Sequence, residues 1–362
     1  MPKYIYEHTE YPKFTWNKEE ILNILTTVAG LQGKILGKMQ QFGFSIQQEA
    51  MLNAMTEEIV KSSEIEGEIL NSEQVRSSLA RHLNIELKQA PTPSHHIDGV
   101  VETMMDATNN YKKPLTKIRL FGWHASLFPT GWSGMHKIDV GKFRNDEMQV
   151  VSNKNGREVV HYQAPDSREA AKQMDDFLDW FNKDGNENSL LKSAIAHLWF
   201  VIIHPFDDGN GRIARTITEM ALARSENTPL RFYSMSAQIQ KEKKEYYHIL
   251  EQTTTGALDI TPWLKWFFEC LIHAIENSSA IVGNVLEKAE FWQKNSASIP
   301  NDTQRYIINL LLDGFNGNLT SGKVAKIYKI SQDTATRLLK DLVDKGFLTV
   351  QGGGRSTHYV LK

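Results

Sequence analysis

The residues able to do chemistry in this 362-residue chain concentrate in one run, His204-Pro205-Phe206-Asp207-Asp208-Gly209-Asn210-Gly211-Arg212-Ile213-Ala214-Arg215. Apolar residues at helical period precede the run and continue after it, so the spacing predicts a helix, a tight loop and a second helix. Gly209 and Gly211 allow backbone N–H groups to turn inward around an anion, and the N-terminus of the second helix adds the positive end of its dipole. Arg212 and Arg215, three residues apart, share a helix face and can meet successive phosphates. Asp208 is a hard oxygen donor suited to Mg²⁺ beside such a cradle. His204 supplies a base that titrates near neutrality. Together these residues describe a base, a metal and a polyphosphate site. The chain has no GxxxxGK[ST] sequence, so the cradle is not a P-loop, and no HExxH-type spacing points to zinc.

Most of the chain that must position this run reads as helix. Ile21, Leu25, Val28, Ile35 and Met39 make an apolar stripe over 17–42, and Gly43 breaks it. Ser45 with Gln48 reads as a capping box opening a second helix, which runs through Ile59 toward SSEIEGE; Asn71 or Ser72 caps a third that ends near Leu83. The prolines of LKQAPTPSHH (87–96) mark a boundary, and helices over 97–110 and 116–128 follow. Residues 129–168 change to glycines and short β-prone runs. There, Met148-Gln149-Val150-Val151 faces Val159 to Tyr162, and Asn155-Gly156 signals a two-residue turn that pairs Val151 with Val160. From 169 to about 290 the period is helical again, including an apolar helix over 189–203 that ends at His204. FWQKNSASIPN (292–302) reads as a linker. Short helices over 303–313, 321–328 and 332–345 and a closing hairpin make a winged-helix pattern.

The 41 Lys and Arg against 43 Asp and Glu leave a net charge of −2, which excludes nucleic-acid or membrane binding by global electrostatics. Residues 300–362 alone carry +4. The single cysteine, Cys270, excludes an internal disulfide and points to a reducing cytoplasm. It shares helical spacing with Trp263, Trp266, Phe267, Leu271 and Ala274, so it is expected in a core. MPKYIYEHTEYPKF lacks the apolar stretch of a secretion signal, and no run approaches the roughly 18 apolar residues of a membrane span, so a soluble cytoplasmic protein is expected. His95, His96, His124 and His197 are expected as structural polar groups.

HPFDDGNGRIAR resembles the HPFx[D/E]GNGRxxR signature of the Fic family at every specified position. The resemblance implies a mainly α fold: an N-terminal helical region over 1–90 carrying an inhibitory helix, and a Fic-type helical core over 91–290 with a β-hairpin flap. The Fido domain would span about 115–272, a linker 291–302 and a winged helix 303–362. The implied activity is transfer of AMP from ATP to a Ser, Thr or Tyr hydroxyl of a target protein or of the chain itself, with release of pyrophosphate. By position, His204 is the base and Asp208 the Mg²⁺ ligand. Gly209, Asn210 and Gly211 hold phosphates, Arg212 grips the β-phosphate, and Ile213, Ala214 and Arg215 complete the nucleotide-binding run. Arg215 would hold the γ-phosphate or an inhibitory carboxylate.

Ser62-Ser63-Glu64-Ile65-Glu66-Gly67 is similar to the family's inhibitory [S/T]xxxE[G/N] pattern, which implies a Glu66–Arg215 pair obstructing the γ-phosphate. Ser62, Glu66 and Gly67 are its marked positions, although a helix that simply ends at Gly67 satisfies the same residues. The Met148–Val151 strand corresponds to the flap, preceded by Gly141-Lys142-Phe143-Arg144, and would bind a target segment by strand addition. Tyr246-Tyr247 resembles a pair bordering the adenine, with Tyr247 the expected contact, and Thr254 stands where some members have Asn. A homodimer is common in the family. Alternatives that keep the residues are removal of AMP, transfer of another phosphate-containing group, and an ATP-sensing winged-helix regulator that binds DNA. The 332–345 helix carries Arg337 and Lys340 but also Asp333, Asp341 and Asp344, so DNA and protein docking are both open.

Overall fold

The computed structural model describes residues 3–87, 90–154, 157–183, 187–312, 315 and 317–362. The chain divides into a unit over residues 1–279 and a unit over residues 280–362.

In the first unit, the Asn17 side chain accepts the N–H groups of Glu19 and Glu20 and so starts α1 (Lys18–Gln40), whose expected stripe is buried. The next helix, α2 (Phe44–Ile65), opens one residue before the expected Ser45, with Gly43 as N-cap and no side-chain cap. Gln48 closes no box; its amide donates to Leu83 O, beyond the end of α3 (Ser72–His82). Asn71 caps α3 through Gln74 N. The end of α2 is a Schellman turn: Glu68 N donates to Ser63 O and Gly67 N to Glu64 O, both at 3.0 Å, with Gly67 at φ +84°.

After α4 (His95–Asn109) and α5 (Lys117–Leu127), a short antiparallel ribbon, β1 (Trp132–Ser133) with β2 (His136–Lys137), interrupts the helical chain where no strand was expected. Two-residue strands carry too little alternation to be read from sequence. The expected hairpin is β3 (Gln149–Lys154) with β4 (Arg157–Gln163), and Val151 does pair with Val160. The Asn155-Gly156 turn lies outside the described residues. Between Val150 and Val151 the register shifts, leaving His161 as the extra residue of a bulge.

The centre of the unit is α7 (Ser189–Ile203) against α8 (Asn210–Glu226). Burial around nearly the whole girth of α7 marks it as a core helix. On this pair, α6 (Ser167–Asn182) packs against α7, and α4 and α5 against α8; α9 (Met235–Lys241) lies on α2, while α10 (Lys243–Thr254) and the start of α11 (Thr261–Asn295) hydrogen-bond to α7 through Tyr246 and Trp263. Cys270 on α11 is fully buried. Glu58, 1% exposed, ties α2 to the start of α9 by accepting Ser234 Oγ and Ser236 N, each at 2.8 Å.

In the second unit, α11 continues to Asn295, so the segment expected as a linker over 291–302 begins as helix. The reason is burial: Phe291 and Trp292 pack on a core of Ile299, Ile307, Ile308, Leu319, Val324, Ala335, Leu339, Leu342 and Leu348. That core gathers α12 (Asp302–Leu312), α13 (Ser321–Tyr328), α14 (Gln332–Asp344) and an antiparallel pair, β5 (Leu348–Gln351) with β6 (His358–Leu361). On α14, Arg337 and Lys340 are exposed.

Candidate active site

His204 ends α7 in the left-handed conformation, φ 50° and ψ 57°, immediately before Pro205. A residue preceding proline is driven out of the right-handed helical region, and a non-glycine residue here is strained by about 1–3 kcal/mol. Arg144, 3% exposed, offsets that strain. Its Nε donates to His204 O at 2.8 Å and its backbone N to Pro205 O at 2.9 Å, while its Nη atoms bind Asp146 O and Pro165 O. His204 Nδ1 lies 3.2 Å from Val201 O, which only accepts, so Nδ1 carries the proton and Nε2 keeps its lone pair. Burial pushes the imidazole down to about 4, against the opposing pull of the Val201 carbonyl and of the Glu66 and Asp208 carboxylates. A neutral base therefore faces the cavity at neutral pH.

The loop after His204 is built to hold a fixed shape. Asn210, 2% exposed, accepts Phe206 N through Oδ1 and donates to Phe206 O through Nδ2. Both ends of its amide are thus engaged in shaping the loop, and Asn210, expected to hold phosphate, also lines the cavity beside it. Gly209, at φ +78°, approaches Phe128 so closely that a Cβ would lie 2.8 Å from the ring. Asp208 accepts Gly209 N and the Ser133 hydroxyl. His124, fully buried, accepts Gly141 N at Nδ1 and so donates from Nε2 to Asp208 O, the structural role expected of it. Ile213 and Ala214, expected in the nucleotide-binding run, are fully buried and project into the core.

Two carboxylates from the end of α2 meet the two arginines of α8. Arg215, 2% exposed at its side chain, donates from Nη2 to Glu66 Oε1 and to Ser62 O, and from Nε to Ser62 Oγ, all at 2.8 Å. The Glu66 carboxylate lies over the glycine loop: a Cβ on Gly211 would meet Glu66 Oε1 at 2.1 Å and Arg215 Nη1 at 3.2 Å. Arg212 Nη1 donates to Glu68 Oε2 at 2.6 Å, and its guanidinium lies 4.7 Å over the Phe128 ring. Among the described residues, Arg215 Nη1 and Arg212 Nε are buried without a hydrogen-bond partner.

A cavity of about 720 Å³ brings together Glu66, Met148, Gln149, Val150, Val151, His204, Asp208, Gly209, Asn210, Gly211 and Tyr247. A second, of about 480 Å³, shares Glu66 and Asp208 and is bounded by Gly67, Glu68, His96 and Arg212. Ser62 and Arg215 lie behind Glu66, away from both linings. Tyr247 is 40% exposed, its hydroxyl 3.5 Å from Ile65 O, and burial pushes it up to about 12. Tyr246 is buried and its hydroxyl meets His197 Nε2 at 2.9 Å, so His197 bridges α7 to α10 as a structural group. Thr254 also borders the first cavity, its hydroxyl engaged by Glu251 O.

The flap residues divide by side. Met148 and Val150 pack on Tyr4, Tyr162 and Ala164, whereas Val151 is 45% exposed. Tyr6 donates to Gln163 O, and Tyr162 to Ile202 O at 2.7 Å, so the aromatic N-terminal segment anchors the flap. Sequence reasoning missed this anchoring, along with Glu68, Ser133 and the bracing by Arg144. The spacing of Glu66 and Glu68 around Gly67 was the available signal for the second carboxylate.

A helix, a glycine loop and a second helix, inside a mainly α unit with a small hairpin, is a fold shared with solved Fic proteins. A solved Fic family protein from Desulfovibrio desulfuricans G20 superposes with a TM-score of 0.56 at 20% identity, covering 97% of this chain and 98% of that one. A Fic domain containing signaling protein from Bacteroides thetaiotaomicron VPI-5482 gives 0.51 at 18% identity over 73% and 96% of the two chains. Residues 114–222 match the Fic/DOC family, so the chain carries a Fic/DOC domain, and residues 4–85 match a domain of unknown function, DUF4172. Curated relatives include a protein adenylyltransferase Fic from Nematostella vectensis, 28% identical over 145 residues, 39% of this chain and 30% of that protein. Another, from Drosophila willistoni, is 26% identical over 230 residues, 62% and 42%. The chain thus spans less than half the length of these relatives.

Proposed function

We propose that this chain is a protein adenylyltransferase held inactive by Glu66. The observation that carries the reading is the pair of buried, unpartnered guanidinium nitrogens, Arg212 Nε and Arg215 Nη1, beside a glycine loop bordering the neutral His204. Unpaired buried donors on two cations call for a ligand with several anionic acceptors, and a nucleotide polyphosphate supplies them.

In the reaction, the target hydroxyl oxygen bonds to the α-phosphorus of ATP, the bond to the β-phosphate breaks, and pyrophosphate leaves. The hydroxyl proton passes to His204 Nε2. Gly209 and Gly211 let the loop approach phosphate oxygens closely, and Arg212 holds the β-phosphate. Tyr247 borders the base, and Met148–Val151 aligns the target segment. A Mg²⁺ ion would arrive with the phosphates, which supply most of its oxygen ligands. Asp208 would hold it, and Mg²⁺ when bound neutralises phosphate charge.

Glu66 lies where its carboxylate takes Arg215 and covers Gly211, so a γ-phosphate and Glu66 compete for one place. A single cysteine, with no internal partner, suits a reducing, cytoplasmic setting, and no helix among the described residues is long and apolar enough to cross a membrane. The exposed Arg337 and Lys340 on α14 support reading the second unit as a winged-helix docking module.

The test incubates the full chain with Mg²⁺ and α-labelled ATP, with γ-labelled ATP as control, comparing wild type, Glu66→Gly and Glu66→Gly/His204→Ala. Label from α-labelled ATP entering protein only with Glu66→Gly is the expected result. Absence of α-label in every sample, with cell lysate supplied, overturns the transferase reading in favour of AMP removal or nucleotide sensing.

A further inference from the structure

Glu66 is one of two carboxylates at the end of α2, and the second engages the other arginine. Glu68 Oε2 accepts Arg212 Nη1 at 2.6 Å, and Glu68 Oε1 meets His96 Nε2 at 2.5 Å. Burial alone would raise the Glu68 carboxyl, but the His96 hydrogen bond and the Arg212 charge outweigh it and hold the group below its ordinary value. The arginine is fixed from a second side by the Phe128 ring, which also abuts Gly209. The Schellman turn at Gly67 lets residues on either side of one glycine reach neighbouring guanidinium groups on α8.

We propose that Glu68, positioned by His96, is a second carboxylate latch that competes with a nucleotide β-phosphate for Arg212. The proposal rests on reading this site as a nucleotide site and goes beyond the Glu66 contact, because the two carboxylates engage different arginines and would exclude different phosphates. Glu68 leaves Arg212 Nε without a partner, so the pair is incomplete as a bidentate contact. A phosphate group, with more oxygens to offer, satisfies Nε and Nη1 together and displaces the carboxylate. This gives the segment that matches a domain of unknown function a definite task, delivering Glu66 and Glu68 to the two arginines.

ADP and AMP separate the two contacts, since ADP has a β-phosphate and no γ-phosphate, and AMP has neither. Calorimetric titration of the full-length Glu68→Gln variant is expected to show ADP bound about tenfold more tightly than by wild type, with AMP affinity unchanged, the size of one charge-assisted hydrogen bond relieved of its competitor. His96→Gln, which removes the support of Glu68 and leaves Arg212 and Glu68 in place, is expected to shift ADP the same way by a smaller factor. It carries the test if the melting curve shows Glu68→Gln unfolded. Unchanged ADP affinity in the folded variants overturns the latch, as does an equal gain for ADP and AMP, which would report general loosening.

Transfer of α-label separates this proposal from the reading it rests on. If Glu66→Gly transfers AMP, adding Glu68→Gln should lower KM for ATP about tenfold. Transfer by Glu66→Gly with ADP affinity unmoved in Glu68→Gln removes the latch alone. Tighter ADP binding with no transfer by any variant removes the transferase activity alone.

Discussion

His204 combines two properties that sequence conveys unequally. Its place at the end of an apolar helix was legible from periodicity and from Pro205. Its left-handed backbone and its depressed titration were not, because both arise from residues distant in sequence: Arg144 braces the carbonyl and surrounding atoms remove water. Protonation of Nε2 abolishes the base, so transfer by Glu66→Gly should stay level as pH falls through 6.5 and drop only as it nears about 4. A pH–rate profile with an acid limb at 6 or above would contradict this. His204→Ala in the same background should lose about 10²- to 10⁴-fold in rate. Asn210 has a role that residue type alone did not convey: both ends of its amide are engaged by Phe206 and shape the loop. Ile213 and Ala214 likewise belong to the core because the helix that presents Arg212 and Arg215 to the site must bury its other face.

At the scale of elements, helix positions were readable wherever an apolar stripe met a capping residue, as at Asn17, Asn71 and the 189–203 helix. Reading failed where the deciding interaction was tertiary. Gln48 lies at the right spacing for a capping box but reaches Leu83. The bulge at His161 and the two-residue strands at Trp132 and His136 leave no periodic trace. The turn closing α2 served two readings at once: Gly67 ends the helix by a local rule and, by the same conformation, sets Glu66 and Glu68 beside the arginines. Gly67→Ala forces a side chain into a backbone at φ +84°, so it should lower the melting temperature by an amount worth about 1 kcal/mol and raise AMP transfer above the wild-type level. The flap depends on Tyr162 in a comparable way. Tyr162→Phe removes the buried bond to Ile202 O and should cost about 1 kcal/mol, with faster amide exchange over 148–163.

Across the whole molecule, the mainly α architecture was legible because helical period dominates the sequence, whereas the full extent of α11 was not. Ser, Asn and Pro around 296–301 signalled a break, while Phe291 and Trp292 bind the preceding helix into the second unit's core. The first unit contains the cavity, the flap and the latch residues, and the second has a core of its own. Leu339→Ala, in the middle of that second core, should destabilise it by about 2–5 kcal/mol while leaving ADP titration of the first unit unchanged. Calorimetric unfolding together with the titration reads both effects.

The Glu66–Arg215 contact joins two elements of one chain, and that has a consequence in mass action. A restraint supplied by a separate inhibitor weakens as a sample is diluted, because the encounter is bimolecular. Under the proposed inhibition the blocking group travels with the arginine it pairs with, at a local concentration fixed by the fold. A chain restrained in the proposed way would emerge from synthesis already silenced, and a hundredfold dilution should leave the silenced fraction where it was.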